Sequence, residues 1–384
     1  MNEGLEGIVA ATTKLSHVDG ELGELIIAGF PVEEIAPRAT FEETVWLLWH
    51  GDLPDADSLE MFRSDLARRR GLPPCTIDLL QACALARIDV MDALRIAAGT
   101  ILEPLPLEIV ARFPTIVATY WHLLHGRAPI SPRADLGHAG NYLYMLTGGL
   151  PRPEEIRGLE TYLNTVIDHG LNASTFTARI ITSTGSDLVS AIVGATGALK
   201  GPLHGGAPGP ALDMVFEIGD ALTHAGPGEA GFNAERVLRR KIESGERLMG
   251  FGHRVYKVRD PRADVLAAAA ERIYTRGGGD IKLYQLAREV EATALRLLEE
   301  YKPGRRLQTN VEFYTALLLH GLGLDAKLFT PTFAISRVAG WIAHSLEQRA
   351  ANRIIRPQSE YVGPRDRTWI PPGKRAAVVR DERA

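Results

Sequence analysis

Five residues carry most of the reactive chemistry this chain could offer: His204, His253, Arg262, Glu312 and Arg337. They are far apart in sequence, but each stands beside a predicted loop or helix end. Imidazoles, guanidiniums and a carboxylate suit proton transfer next to a polycarboxylate. Arginine grips a carboxylate with a planar two-pronged fork, and neutral imidazole can donate a hydrogen bond to a carbonyl as it becomes an enolate. No serine or cysteine nucleophile with a local elbow is evident, nor any metal-ligand spacing. The set points to carbon-acid chemistry.

The elements around these residues must aim them. His204 lies in Gly201-Pro202-Leu203-His204-Gly205-Gly206-Ala207-Pro208-Gly209-Pro210, where glycines and prolines aim the imidazole by a turn and not by a helix face. A plain linker between two helices is the competing reading. In Met249-Gly250-Phe251-Gly252-His253-Arg254-Val255-Tyr256-Lys257, glycines let the backbone approach a ligand. No strand precedes this run and a third glycine is missing, so it is not a dinucleotide fingerprint. Asp260-Pro261 is an N-cap with proline at N1. It puts Arg262 in a first helical turn, where a basic residue opposes the dipole and an anionic partner would relieve it.

The 384 residues, 45% apolar and 23% charged with a formal net charge of -4, predict a globular protein of two domains with no electrostatic pull towards nucleic acid. Cys75 and Cys83 are too few for a disulfide framework, which fits a reducing, cytoplasmic setting. No export signal or membrane anchor is implied. The pattern is helical nearly throughout. Leu25–Ile27 is the only convincing β signal, after a turn at Val18-Asp19-Gly20. Thr40-x-x-Glu43 opens a helix that stops at Gly51. Further helices are predicted over 58–70, 92–100, 107–125 (kinked or split at Pro114), 135–146, 154–169, 186–201, 213–220, 234–244, 261–275, 281–301, 309–320 and 332–349. Residues 223–231 read as loop, and the tail from Arg353 as extended. His169 then falls in the last turn of a helix, where the dipole favours an imidazolium, and Asn172 caps the next helix. His122 and His125 read as surface histidines and not a metal pair, with no third ligand in sight.

Taken in order, several motifs resemble the citrate synthase family: Gly4-Leu5-Glu6-Gly7 with Asp19-Gly20; Asp168-His169-Gly170-Leu171-Asn172-Ala173-Ser174-Thr175-Phe176-Thr177-Ala178; Lys200-Gly201-Pro202-Leu203-His204-Gly205-Gly206; Gly252 to Lys257 with Asp260-Pro261-Arg262; Asn310-Val311-Glu312-Phe313-Tyr314; and Asn352-Arg353 before Arg356-Pro357. They span nearly the whole chain. The resemblance implies an all-α homodimer. Its large dimer-forming domain would be residues 1–207 with 324–384, its smaller mobile domain 208–323, and its active site the cleft between them. It implies condensation of acetyl-CoA with oxaloacetate to citrate and CoA, with no metal or cofactor, no nucleic acid and no membrane. Carried over by residue, His204 would stabilise the enolate, His253 would polarise the ketone and the carboxylate at 312 would take the methyl proton. His169, Arg262, Arg337 and a partner subunit's Arg356 would hold oxaloacetate. Gly252, Arg254, Lys257 and Arg353 would lie against CoA.

Two departures stand out. Glu312 replaces the family's usual aspartate, and Pro208 its usual asparagine. Thr309-x-x-Glu312 is also a capping box, in which the carboxylate would fold back onto its own helix instead of serving as a base. A 2-methylcitrate synthase acting on propionyl-CoA shares every motif, and a ligand-binding paralogue without turnover is the rival from another class.

Overall fold

The computed structural model describes residues 3–5, 7–102, 105–205, 208–224, 234–253, 255–276 and 279–374. Its architecture follows the helical pattern closely. A small antiparallel sheet, β1 (Ser16–Asp19), β2 (Glu24–Ile27) and β3 (Phe30–Pro31), precedes sixteen α-helices among the described residues. These are α1 (Val32–Ile35), α2 (Phe41–His50), α3 (Ala56–Arg68), α4 (Pro74–Leu85), α5 (Val90–Ala98), α6 (Pro106–Leu124), α7 (His138–Thr147) and α8 (Pro153–Val166). There follow α9 (Ala173–Ser183), α10 (Leu188–Leu199), α11 (Pro208–His224), α12 (Ala234–Glu243), α13 (Pro261–Arg276), α14 (Ile281–Tyr301), α15 (Val311–Gly321) and α16 (Phe329–Ala350). The all-α expectation holds, and the small sheet is an accessory to the cleft.

Local chemistry sets the ends. Thr40 and Glu43 form the expected reciprocal cap of α2, and Gly51 ends it at φ 90°. Asn172 accepts the Thr175 amide at the start of α9, as predicted. The hairpin between β1 and β2 turns on the Asp19 carboxylate, which accepts the amides of Glu21 and Leu22, and on Gly23 at φ 71°. Those turn bonds make two strands where the sequence showed one.

Several expectations need correction. Helix α8 ends at Val166, so His169 is not in its last turn and no helix dipole favours its charged form. Helix α6 runs unbroken through Pro114, inside the buried core, where packing outweighs one missing backbone bond. Helix α11 begins at Pro208, so the His204 loop is shorter than its glycines and prolines suggested; proline's fixed φ suits a first helical turn. Similarly, α16 starts at Phe329 and takes Pro331 into its first turn. The α4 helix was not anticipated. His122 is buried, bonding the Met145 carbonyl through Nε2 at 2.8 Å, while His125 is exposed. Most of the predicted 223–231 loop lies outside the described residues.

Helix α16 forms the spine of the larger packing unit, with its Trp341, Ile335 and Val338 fully buried. It packs on α9, α10, α6 and α8. Helices α11 to α15 pack mainly on one another and meet the rest chiefly through α8. One close crossing places a site loop: a Cβ on Gly340 would come within 2.3 Å of the Ile167 carbonyl, so only glycine lets α16 approach the segment leading to His169.

Candidate active site

A cleft of about 840 Å³ gathers residues from six separate stretches. His169, His204, His253, Arg262, Glu312 and Arg337 all line it, together with Gly4, Leu5 and Ile8 from the N-terminus. Six of the predicted site residues therefore converge. Gly252, Lys257, Arg353 and Arg356 do not line it, and Arg254 lies outside the described residues.

His204 sits in a turn just past α10, closed by its own amide donating to the Gly201 carbonyl at 2.9 Å. Gly205 must be glycine here, since a Cβ would lie 2.4 Å from the Leu199 carbonyl. The imidazole Nε2 is 2.8 Å from the Ser174 hydroxyl. That hydroxyl also accepts from the Trp341 indole N–H at 3.0 Å and donates to Asn172 Oδ1 at 2.8 Å. Asn172 Oδ1 takes both the Thr175 amide and the Ser174 proton, so His204 carries its own proton on Nε2 and donates it to the Ser174 oxygen. Burial, with Arg337 nearby, lowers the His204 pKa to about 4, so the imidazole is neutral at pH 7. In the sequence Ser174 is only one member of its motif; the fold reveals it and Trp341 as the support of His204.

His253 is fixed more firmly. Its Nδ1 accepts the amides of Val255 and Tyr256, each at 3.1 Å. The neutral ring must then carry its proton on Nε2. Burial and Arg262 lower its pKa to about 4. Arg262 Nη2 lies 3.3 Å from that Nε2. Two donors facing each other at this distance converge on a place for an electron-rich oxygen.

Arg262 is buried and forked onto Asp260, through Nε at 3.0 Å and Nη2 at 2.8 Å. Asp260 also accepts the amides of Arg262 and Val311, so one carboxylate joins the starts of α13 and α15. Arg337 is 1% exposed, donates Nε to the Val166 carbonyl at 2.7 Å and lies 4.7 Å from the Phe333 ring centroid. Among the described residues, its Nη1 and Nη2 have no hydrogen-bond or ion-pair partner. Burial pulls its pKa down to about 10. A buried guanidinium with its Nη1 and Nη2 left open to a cleft is a site for an anion.

His169 Nε2 lies 3.1 Å from the Tyr256 hydroxyl. Burial, Arg262, Arg337 and His253 hold its pKa well below the usual range, so it is neutral, contrary to the dipole argument. Its loop is tied down by Ser16, which accepts the Gly170 amide and donates to the buried Asp168 carboxylate.

Glu312 faces the same cleft. The capping box is not formed: Asn310 caps α15 by accepting the Glu312 amide at 3.0 Å, and the Thr309 hydroxyl is turned to Glu291. Among the described residues the Glu312 carboxylate has no hydrogen-bond partner. Burial raises its pKa to about 7, against the opposing pull of Arg262 and Arg337. A carboxylate poised near the working pH suits a general base.

Two glycines bring the loops together. A Cβ on Gly20 would lie 2.2 Å from the Val255 carbonyl, so the hairpin tip packs directly under the His253 segment. Lys257 also donates its amide to the Gly20 carbonyl. Gly252 has φ 79°, gives its amide to the Gln308 carbonyl and accepts from the Asn310 side chain. Both its backbone groups therefore join the two site loops instead of facing a ligand.

An all-helical fold whose cleft sets a free carboxylate beside neutral imidazoles and an unpaired guanidinium belongs to an enzyme that moves protons next to a bound polycarboxylate. A family model described as citrate synthase, C-terminal domain, matches residues 4–358. Citrate synthase 2 of Bacillus subtilis is 38% identical, with 97% of this chain and 99% of that protein covered. A 2-methylcitrate synthase of Mycobacterium tuberculosis is 36% identical, over 94% of this chain and 91% of its own length. The solved citrate synthase of Thermotoga maritima has a TM-score of 0.84 at 38% identity, covering 98% of this chain and 100% of that one. A citrate synthase of Thermoplasma acidophilum, solved with carboxymethyl coenzyme A and oxaloacetate, has a TM-score of 0.85 at 28% identity, over 98% and 99%. The chain belongs to the citrate synthase family.

Proposed function

We propose that this chain is an acyltransferase that condenses acetyl-CoA with oxaloacetate to give citrate and CoA, with Glu312 as its general base. The observation that carries this reading is the convergence of an unpartnered Glu312 carboxylate, an unpaired Arg337 guanidinium and two neutral imidazoles in one cleft. Arg337, Arg262 and His169 hold the oxaloacetate carboxylates, and His253 Nε2–H points at the ketone oxygen. Glu312 removes a methyl proton from the thioester, and His204 stabilises the enolate oxygen as it forms. Enolate carbon then attacks the ketone carbon, whose oxygen takes a proton from His253 Nε2 while the proton held by Glu312 is passed back through water to that imidazole, so the new hydroxyl gains the proton the methyl lost. Water cleaves the citryl thioester to release CoA.

The functional unit is a homodimer with a mobile small domain over 208–323. The mutual packing of α11 to α15 supports the second part. The first is supported by the C-terminal arm: from 352 to 371 it has no helix or strand and exposes Ile354, Tyr361, Val362, Trp369 and Ile370. Arg356, on this exposed arm, reaches the partner's cleft. Lys257 and Arg353 meet CoA phosphates, and unpaired Cys75 and Cys83 fit a cytoplasmic setting.

Turnover of acetyl-CoA and propionyl-CoA, supplied at equal concentration with oxaloacetate and read by product mass, tests the assignment. Citrate is expected to dominate. A majority of 2-methylcitrate would make the propionyl enzyme the correct reading, and oxaloacetate binding without any turnover would make the chain a ligand-binding paralogue.

A further inference from the structure

Behind the base lies a buried carboxylate that touches no part of the cleft. Glu291, on α14, is 5% exposed. Its Oε1 accepts from the Thr309 hydroxyl at 2.7 Å and from Arg259 Nη1 at 3.0 Å, and its Oε2 accepts from the Tyr314 hydroxyl. Arg288 Nη1 supports the far side, donating to the same Tyr314 oxygen at 2.8 Å. Two of these partners belong to the site loops. Arg259 immediately precedes the Asp260 and Arg262 pair, and Thr309 precedes Asn310, the cap of the helix that carries Glu312.

Thr309 has a second possible bond. With Glu312 three residues later, it has the sequence of a capping box, in which its hydroxyl would accept the Glu312 amide and the Glu312 carboxylate would bind the Thr309 amide. That arrangement would withdraw the carboxylate from the cleft. The structure instead spends the Thr309 hydroxyl on Glu291 and lets Asn310 cap α15.

We propose that Glu291 is a positioning residue for Glu312: by holding the Thr309 hydroxyl it blocks the competing cap and keeps the base in the cleft. This rests on the reading of Glu312 as the base. Arg262 and Asp260 at the start of α13, Arg337 on α16 and Tyr162 on α8 face Glu312 from the packed elements; none of them bonds Glu291, and Arg259, which does, is also held by Asp264. A shift in the pH profile on changing Glu291 therefore reports the carboxylate's own hydrogen bonding.

The test compares thiol release from acetyl-CoA with oxaloacetate in wild type, Glu291→Ala, Thr309→Val, the double variant and Glu312→Gln, with circular dichroism as a check on folding. Glu291→Ala frees Thr309, so kcat is expected to fall about 100-fold, the scale of an ångström's misplacement. The acid limb of its pH profile should move to lower pH, because a capping bond favours the ionised carboxylate. Valine cannot cap, so Thr309→Val should lose little, and the double variant should regain most of the kcat lost by Glu291→Ala. A double variant as slow as or slower than Glu291→Ala overturns the proposal, since a merely structural carboxylate predicts additive loss. If the alanine variant does not fold, Glu291→Gln with and without Thr309→Val makes the same comparison. Turnover that survives in Glu312→Gln removes the base assignment and the proposal with it. Loss there, with no rescue in the double variant, removes the proposal alone.

Discussion

Replacing Arg337 by methionine separates what the site does for the substrate from what it does for the fold. Burial brings the guanidinium well below its usual range, to about 10. At about 1.4 kcal/mol per pH unit, holding the charge in the empty cleft costs about 3 kcal/mol. The sign follows from the direction. A cation whose folded pKa lies below its unfolded one destabilises the folded protein at neutral pH, and that cost disappears only above the unfolded value. Methionine removes the charge, keeps much of the volume against Phe333, and forfeits the bond from Nε to the Val166 carbonyl, worth about 1 kcal/mol. The empty Arg337→Met protein should therefore melt at or above the wild-type temperature. Oxaloacetate binding should suffer, because two charge-assisted hydrogen bonds at about 1.5 kcal/mol each amount to about 100-fold in affinity. Calorimetric titration with oxaloacetate, and melting with and without it, measure both effects. The ligand-induced rise in melting temperature should shrink greatly in the variant. A variant that binds oxaloacetate within about threefold of wild type, or one that melts much lower when empty, would refute the idea that this buried charge awaits the substrate.

Other perturbations bear on the remaining parts. With Glu312 raised to about 7 and both His204 and His253 lowered to about 4 in the empty cleft, kcat/KM should fall about tenfold per unit below pH 7 along a single acid limb; a flat profile between about 5.5 and 7.5 would count against Glu312 as the titrating base. Gly20→Ala drives a Cβ into the Val255 carbonyl at 2.2 Å, so it should raise the oxaloacetate KM and lower kcat by about 10- to 100-fold through His253, with the fold retained in circular dichroism. Unchanged kinetics would mean the hairpin does not set that loop. Mixing inactive Arg356→Ala and His204→Ala subunits should restore some activity in hybrid dimers, and demonstrated subunit exchange without rescue would remove the role of Arg356 across the interface.

Much of the helical architecture was legible because its signals are local. The Thr40 and Glu43 box, the Asn172 cap and the long α14 pattern each sit within a few residues and need no tertiary partner. Misreadings occurred where packing decided the outcome. Pro114 and Pro208 carry breaker signals, yet one lies in a buried helix and the other opens a helix at N1. His169 looked like a helix end because the apolar spacing continues to Ile167, whereas the helix stops at Val166. The six cleft residues were legible as types beside loops and through the family motifs. Their supporting shell was not: Ser174 holds His204 across 30 positions, and Thr309 is taken by Glu291 across 18. Nothing in residue spacing announces such bonds. The Thr309 cap was a sound local inference overridden by a buried acceptor that only the folded chain brings near.

The central claim is that Glu312 takes the methyl proton. Its most direct test is the rate of thiol release from acetyl-CoA with saturating oxaloacetate in wild type, Glu312→Asp and Glu312→Gln. Glutamine cannot accept the proton, so turnover should fall by at least about 100-fold, within the range ascribed to a general base, while oxaloacetate still binds. Aspartate should retain measurable turnover. Wild-type turnover in Glu312→Gln would contradict the account.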